Sequence, residues 1–214
     1  MINFYQNSKG LKAIILCLTA VLMLITASAN AIEKSTANVK SEIGGDFTLT
    51  DHNNESFALE QLRGKLVMMF FGYTFCPDIC PSELATMAKI LKKLGKDSDK
   101  ISSLFITVDP KRDTPEKLKN YVPFFSPHLV GLTGSEEEIA AVTKAYKVQS
   151  KLHAKKENSE YYLVDHSANL YVLNEEGKLI HLIPFGFPAE HILKVLKDEI
   201  SRLGSADKTN LVTN

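Results

Sequence analysis

The 214-residue chain has the length of one globular domain plus a targeting segment. Hydrophobic residues make up 44% and charged residues 23%, which excludes a disordered chain, a collagen-like repeat and a multi-spanning membrane protein. Lysine plus arginine and aspartate plus glutamate both number 25, so the formal net charge is zero. We therefore expect no nucleic-acid partner, because such binders rely on a broad basic field. Three cysteines are too few for a disulfide-stapled scaffold.

The N-terminal segment has the pattern of a secretory signal. Lys9 and Lys12 precede an uncharged apolar run over residues 13–27, and small residues follow up to Ala29 and Ala31. We expect export with cleavage near Ala29 or Ala31. An uncleaved membrane anchor is the alternative, although the run is short for a span of ~20 residues.

Beyond this segment, strand-like and helix-like patterns alternate. The predicted domains are a signal or anchor over 1–31, a linker over 32–42, one domain over 43–203 and a flexible tail over 204–214. Strands are predicted near 46–50, 65–71, 101–108, 129–132, 161–164, 170–174 and 178–183, and helices at 82–94, 114–125, 136–146 and 189–203. The polar stretch 150–160 is predicted to be a mobile excursion. This order predicts an α/β fold: a thioredoxin-like mixed sheet flanked by helices, with an N-terminal hairpin extension.

Two cysteines, Cys76 and Cys80, lie between the first buried strand and its helix. Pro81 suits the first turn of that helix, so Cys80 is expected at or next to the helix start, where free N–H groups and the dipole favour a thiolate. The pair is able to close a disulfide or to hold one soft cation. The spacing of three intervening residues, rather than two, favours a metal.

A third ligand is expected, because two thiolates suffice for Cu(I) whereas Cu(II) calls for a nitrogen ligand. His166 is the candidate, since it lies just before the apolar strand 170–174, at a junction expected to face the cysteines. The candidate ligands of the soft cation are therefore Cys76, Cys80 and His166. For the other histidines a surface role is expected: His52, His128, His153, His181 and His191.

Four segments in order carry a resemblance to a known family: residues 71–81, 108–114, 126–134 and 164–167. Over roughly residues 43–200 the chain resembles the SCO/SenC family of copper-binding, thioredoxin-fold proteins that assemble cytochrome c oxidase. The resemblance implies that Cys76, Cys80 and His166 hold copper and that the cysteines also cycle to a disulfide. It further implies a partner in oxidase subunit II, whose binuclear copper site receives copper or has its cysteines reduced.

The resemblance also implies a second partner, either another copper carrier or a thiol reductant, and a location near the membrane. With the export signal, this predicts the periplasmic face of the inner membrane, with the protein soluble or N-terminally anchored.

Other functions stay open from the residues alone. A thiol-disulfide oxidoreductase fits the cysteine placement, although the five-residue motif and the lack of a proline before Leu170 weigh against a general one. A peroxidase is disfavoured because Tyr73 stands where peroxiredoxin-like enzymes have a threonine. A structural zinc site would need a fourth ligand.

Asp78 has two equally supported explanations. It adjusts the copper affinity as an outer-shell acceptor, or it is an acid that the helix dipole favours at the helix start. For residues 109–114, a turn followed by a helix cap is preferred to a partner surface.

Overall fold

The computed structural model describes residues 43–154 and 162–212. The strands are β1 Thr48–Asp51, β2 Ser56–Ala58, β3 Leu66–Gly72, β4 Ile101–Thr107, β5 Leu129–Thr133, β6 Ser150–Ala154, β7 Tyr162–His166, β8 Asn169–Leu173 and β9 Leu179–Pro184. The α-helices are α1 Ile79–Leu94, α2 Pro115–Tyr121, α3 Glu136–Ala145 and α4 Ala189–Val212. Short 3₁₀ segments occupy Leu59–Leu62, Gly95–Lys100 and Val122–Phe124.

Seven strands form one mixed sheet in the order β2-β1-β5-β4-β3-β8-β9. The strands β3, β4 and β5 are parallel, with Leu66 opposite Ile101, whereas β1, β2, β8 and β9 pair antiparallel. The N-terminal hairpin joins the sheet because β1 pairs with β5. Strands β6 and β7 form a separate two-stranded sheet. The predicted fold class is confirmed.

The core lies on both faces of the sheet, and β3 contributes to each face in turn, as the two-residue period of a strand requires. One face packs against α1, α2 and α4, and the opposite face packs against α3. Seven consecutive residues of β3 are buried, which explains the continuous apolar run in the sequence. The side chains alternate between Leu66, Met68 and Phe70 on the first face and Val67, Met69 and Phe71 on the second.

Two helices begin with the capping interactions that the sequence predicts. The Thr114 hydroxyl accepts a hydrogen bond from the Lys117 N–H at 3.2 Å, with Pro115 at the first helical position. At α3, Ser135 and Glu138 form a complete capping box. Both helices therefore begin where side chains satisfy their free N–H groups.

Three helix boundaries differ from the prediction. Helix α2 ends at Tyr121, before the predicted end at residue 125, and a 3₁₀ segment follows to Phe124. Helix α1 begins at Ile79, three residues before the predicted start, so Cys80 is its second residue. Helix α4 continues past Gly204, where an end was predicted, to Val212. Gly204 lacks the positive φ of a C-cap glycine, and a glycine within a helix lowers its stability without ending it.

The prediction of a mobile excursion at 150–160 is wrong for its first half. Residues Ser150–Ala154 form strand β6, which pairs antiparallel with β7 and places Ser150 opposite His166. Lys151, Leu152 and His153 are all exposed. The segment therefore has no buried face, and a buried face is the feature by which a half-buried strand is predicted from sequence. Residues 155–161 lie outside the described part of the chain.

The predicted signal or anchor and the linker, residues 1–42, lie outside the described residues. Over 43–154 and 162–212, no helix is long and apolar enough to cross a membrane.

Candidate metal centre

The end of β3 makes room for the Cys80 thiol. A Cβ atom at Gly72 would lie 2.8 Å from the Cys80 Sγ and 2.8 Å from the Phe105 ring, closer than real Cβ contacts allow. Glycine at this position therefore lets the first turn of α1 approach the sheet. The thiol of Cys80 is held inside the core as a result.

The two cysteines differ in exposure. Cys80 is 0% exposed, Cys76 is half-buried, and both are free thiols. The backbone N–H of Cys80 donates to the Cys76 Sγ at 3.5 Å, so the start of α1 turns the two sulfurs towards one another. Cys76 thus lies on the accessible side of the pair and Cys80 on the inner side.

His166, the last residue of β7, completes the group. Its Nε2 lies 3.3 Å from the Cys80 Sγ, and its Nδ1–H donates to the Ser167 carbonyl oxygen at 3.1 Å. The second bond leaves the Nε2 lone pair directed at the sulfurs, which is how proteins orient a metal-binding imidazole. The ligand atoms of Cys76, Cys80 and His166 all lie within 4.8 Å of one another. The structure thus brings together all three predicted site residues.

The cysteine pair is electrostatically unequal. A hydrogen bond from the Cys80 thiol lowers the pKa of Cys76, assisted by the backbone N–H groups of Asp78 and Cys80. The neighbouring Cys76 sulfur and burial raise the pKa of Cys80. The half-exposed Cys76 is therefore the thiolate of the pair, and a thiolate is the form that binds a metal or attacks a disulfide.

The remaining histidines lie elsewhere. The His52 Nδ1 accepts from the Gly131 N–H at 3.1 Å, and His181 lies 2.8 Å from a Glu199 oxygen. His153 contacts Asp165 on the exposed side of the β6–β7 hairpin. In the part of the chain that the structure describes, Cys76, Cys80 and His166 form the only group of three or more potential metal ligands.

Comparison with known proteins identifies the family of this chain. The SCO1/SenC family profile matches residues 35–201. The chain belongs to the SCO1/SenC family. A SCO2-like protein of Rickettsia conorii is 41% identical over 163 residues, which is 76% of this chain and 78% of the relative.

Solved SCO structures share the fold. The copper-bound ScoI of Bradyrhizobium japonicum is 41% identical and superposes with a TM-score of 0.68, covering 73% of this chain and 99% of ScoI. BsSco, described as having a disulfide switch and as a member of the Sco family of cytochrome c oxidase assembly proteins, is 26% identical with a TM-score of 0.59. That match covers 75% of this chain and 94% of BsSco.

Sequence reasoning missed the group that supports the cysteine loop in this SCO1/SenC chain. The fully buried carboxylate of Asp113 accepts from the Thr74 N–H at 2.9 Å, the Thr74 hydroxyl at 2.6 Å and the Thr107 hydroxyl at 2.7 Å. Burial raises the pKa of Asp113. Since Thr74 is two residues before Cys76, Asp113 ties the loop to the end of β4. The turn-and-cap interpretation of residues 109–114 was correct for the cap and incomplete for this carboxylate.

Arg112, from the same segment, contacts the strand that carries His166. Its Nε lies 2.5 Å from an Asp109 oxygen, and its NH1 donates to the Tyr162 carbonyl at 3.0 Å. The guanidinium carbon lies 3.5 Å from the centre of the Tyr162 ring and 4.8 Å from that of Phe75. The only signal in the sequence was that Asp109 and Arg112 fall within residues 108–114, one of the four segments that carry the resemblance to the family.

Two acidic residues near the cysteines have different environments. Asp78 is the N-cap residue of α1; its side chain is exposed and makes no capping bond. Neither interpretation of Asp78 is favoured by this geometry. Glu83 is 4% exposed, and burial raises its pKa to about 7. A buried carboxyl on the inner face of α1 was not expected from the sequence.

Proposed function

We propose that this chain binds one copper ion through Cys76, Cys80 and His166 and delivers it to the binuclear copper site of cytochrome c oxidase subunit II. The observation that carries the proposal is the convergence of two sulfurs and one imidazole nitrogen within 4.8 Å. Thiolates are soft ligands that select Cu(I), and imidazole suits Cu(II). Three ligands leave the fourth position of a closed zinc site unfilled.

The unequal exposure of the ligands supports a carrier. Cys76 is half-buried, so an incoming partner thiol is able to reach copper on that side. Cys80, at 0% exposure, keeps its copper bond while the Cys76 bond is replaced. Stepwise replacement of one ligand at a time permits transfer without release of free copper into solution.

The relatives support the same assignment. ScoI of Bradyrhizobium japonicum has been solved with copper bound, and BsSco belongs to a family of cytochrome c oxidase assembly proteins. We extend both properties to this chain on the basis of the 41% identity to ScoI and the converging ligand set.

The decisive experiment is a Cu(I) titration of the reduced full-length chain against a strong competing chelator. We expect one copper per chain, retained in Cys17→Ser and lost in Cys76→Ser. Cys17 is the matched control because it is the one cysteine outside the pair. A folded wild-type chain that retains no copper would overturn the proposal.

Delivery is tested separately. The copper-loaded chain is mixed with the reduced, metal-free copper domain of subunit II, and the absorption bands of the binuclear site are followed. We expect the bands to appear as copper leaves this chain. If copper stays on this chain with equimolar acceptor, delivery to subunit II is excluded.

A second candidate, reduction of the subunit II cysteines, is favoured by the low pKa and partial exposure of Cys76. The Cys76 thiolate would attack a partner disulfide, forming a mixed disulfide and releasing one partner thiolate. The Cys80 thiol would then lose its proton and attack the Cys76 sulfur, closing the Cys76–Cys80 disulfide, while the second partner sulfur leaves as a thiolate and takes up that proton. Two electrons pass from this chain to the partner, and a separate thiol reductant must restore the pair.

This candidate predicts which variant traps a complex. With the oxidised subunit II domain, Cys80→Ser should accumulate a mixed disulfide through Cys76, because the resolving thiol is missing. Cys76→Ser should trap little, because Cys80 is buried. Absence of a mixed disulfide in both variants would exclude the reductase.

We further propose that the chain acts on the periplasmic face of the inner membrane, soluble or held by its N-terminal segment. The apolar run over residues 13–27 and the small residues after it support export. Sequencing the N-terminus of the mature protein tests this: a start at residue 30 or 32 means cleavage, and an intact N-terminus in the membrane fraction means an anchor. Recovery of the intact chain from the cytoplasm would overturn export.

A further inference from the structure

Arg112 joins two segments that are distant in the sequence. Its side chain, 16% exposed, is paired with Asp109, which is itself buried. From there the guanidinium lies over the Tyr162 ring at 3.5 Å and donates to the Tyr162 carbonyl at 3.0 Å. The Tyr162 hydroxyl donates to the other Asp109 oxygen at 2.7 Å. Arg112 and Asp109 thus hold both the ring and the backbone of Tyr162.

Tyr162 is the first residue of β7, and His166 is the last. Because β7 pairs only with β6 among the described strands, the main sheet does not fix its position. Three contacts join it to the rest of the domain: the ring and carbonyl of Tyr162 at Arg112, the backbone N–H of Val164 at the Tyr73 hydroxyl, and the His166 imidazole at Cys80. These contacts hold the strand at its start, its middle and its end.

Tyr73 links the contacts at the middle of the strand. Its hydroxyl accepts from the Val164 N–H at 3.2 Å, and its ring packs edge-to-face on His166 with centroids 5.9 Å apart. The Arg112 guanidinium lies 5.7 Å from the centre of the same ring. Movement of Arg112 would therefore alter both the start of β7 and the ring against which His166 rests.

We propose that Arg112 is a positioning residue that sets the distance of His166 from the two cysteines and thereby the strength of Cu(II) binding. This inference rests on the proposed function, since copper is the ion that the three ligands hold. Arg112 itself contacts none of the ligand atoms in this arrangement. The Cu(I) affinity is expected to be almost independent of Arg112, because two thiolates hold Cu(I) by themselves.

The role depends on the shape of arginine as well as on its charge. A planar guanidinium is able to stack on an aromatic ring and to donate in its own plane at the same time. Lysine keeps the charge opposite Asp109 and loses both the stack and the bond to the Tyr162 carbonyl. Arg112→Lys is therefore the informative variant, because it preserves the ion pair.

The test compares Arg112→Lys with wild type and with Arg63→Lys, which changes an exposed arginine paired with Asp46. For the metal-free chain, amide hydrogen exchange is measured. We expect Arg112→Lys to exchange faster at Val164 and His166, with α3 unchanged. For the loaded chain, we expect Cu(II) affinity to fall about tenfold and the thiolate-to-Cu(II) absorption to shift, with Cu(I) affinity within about threefold of wild type. Arg63→Lys should match wild type throughout.

Two results would overturn the inference. The first is unchanged Cu(II) affinity and absorption in Arg112→Lys. The second is an equal loss of Cu(I) and Cu(II) affinity with faster exchange in every element, which means general destabilisation. Tyr162→Leu is the second variant, because it removes the ring under Arg112 and keeps the carbonyl acceptor; it should show the same selective Cu(II) loss.

The same data separate this inference from the proposed function. If the wild-type chain binds neither form of copper, the proposed function fails. Exchange at Val164 and His166 then decides by itself whether Arg112 positions β7. If wild type binds both forms and the variants behave like it, the proposed function stands and the role of Arg112 is rejected.

Discussion

Gly72 and Cys80 are in contact across the junction between β3 and α1: a Cβ atom at position 72 would lie 2.8 Å from the Cys80 Sγ. Gly72→Ala should therefore displace the Cys80 thiol and the first turn of α1. We expect a loss of about 1–3 kcal/mol in the free energy of unfolding, typical of overpacking, together with weaker Cu(I) binding. Chemical denaturation and chelator competition measure the two effects.

Gly131→Ala is the matched control, since its Cβ would lie 2.9 Å from a Val122 methyl group, in the core and on a different strand. We expect similar destabilisation with Cu(I) affinity unchanged. Equal copper affinities in the two variants would show that the contact between Gly72 and Cys80 does not set the site.

His166→Ala separates the two oxidation states of copper. The cysteine thiolates remain, so Cu(I) affinity should stay within about tenfold of wild type, whereas Cu(II), which prefers nitrogen ligands, should bind far more weakly. Absorption and electron paramagnetic resonance spectra of the Cu(II) form measure the change. His153→Ala is the control on the same hairpin, and its spectra should match wild type. Unchanged Cu(II) spectra in His166→Ala would rule out the three-ligand site.

The two thiols should react at different rates in the folded, metal-free chain. Cys76 is half-buried and has the lowered pKa, whereas Cys80 is 0% exposed. We expect iodoacetamide to modify Cys76 at least about tenfold faster than Cys80 at neutral pH. Peptide mapping by mass spectrometry at early times gives both rates, and in guanidinium the difference should disappear. Equal rates in the native chain would contradict the assignment of Cys76 as the accessible thiolate.

Glu83 should make stability depend on pH. Burial raises its native pKa to about 7 from 4.5, so between these values the native carboxyl keeps a proton that the unfolded chain has lost. Stability therefore falls as pH rises through this window, by up to about 3 kcal/mol, and the loss is complete above pH 7. Glu83→Gln cannot ionise, so it should be more stable than wild type at pH 8 and similar at pH 4.5.

Denaturation curves at pH 4.5, 6 and 8 give the comparison. Glu60→Gln, at an exposed position, is the control and should follow wild type at each pH. A constant difference between Glu83→Gln and wild type at all three pH values would contradict the role of ionisation at Glu83.

The sequence was sufficient to predict most of the sheet and helices. The buried strand β3 appears as a continuous apolar run, and the start of α3 carries both of its capping residues, Ser135 and Glu138, within three positions. These signals are local, so neighbouring residues are enough to read them. The placement of Cys76 and Cys80 around the start of α1 followed from the same local patterns.

Strand β6 and the end of α4 were not predictable in the same way. Lys151, Leu152 and His153 are exposed, so pairing with β7 rather than burial makes this segment a strand. Glycine is common at helix ends, but Gly204 lacks the positive φ of a glycine that ends a helix. In both cases the residue types fit more than one local structure.

The chain by itself determined which chemical groups are present: two cysteines separated by three residues at a helix start, and a histidine ahead of a buried strand. Only the tertiary structure decided that Cys80 is buried against Gly72, that Asp113 holds Thr74, and that Arg112 lies on Tyr162, 50 positions away. Such contacts join residues far apart in the sequence, so the local hydrophobic periodicity does not predict them. They arise when the packing of the sheet and helices brings the segments together, and they determine how closely His166 approaches the thiols.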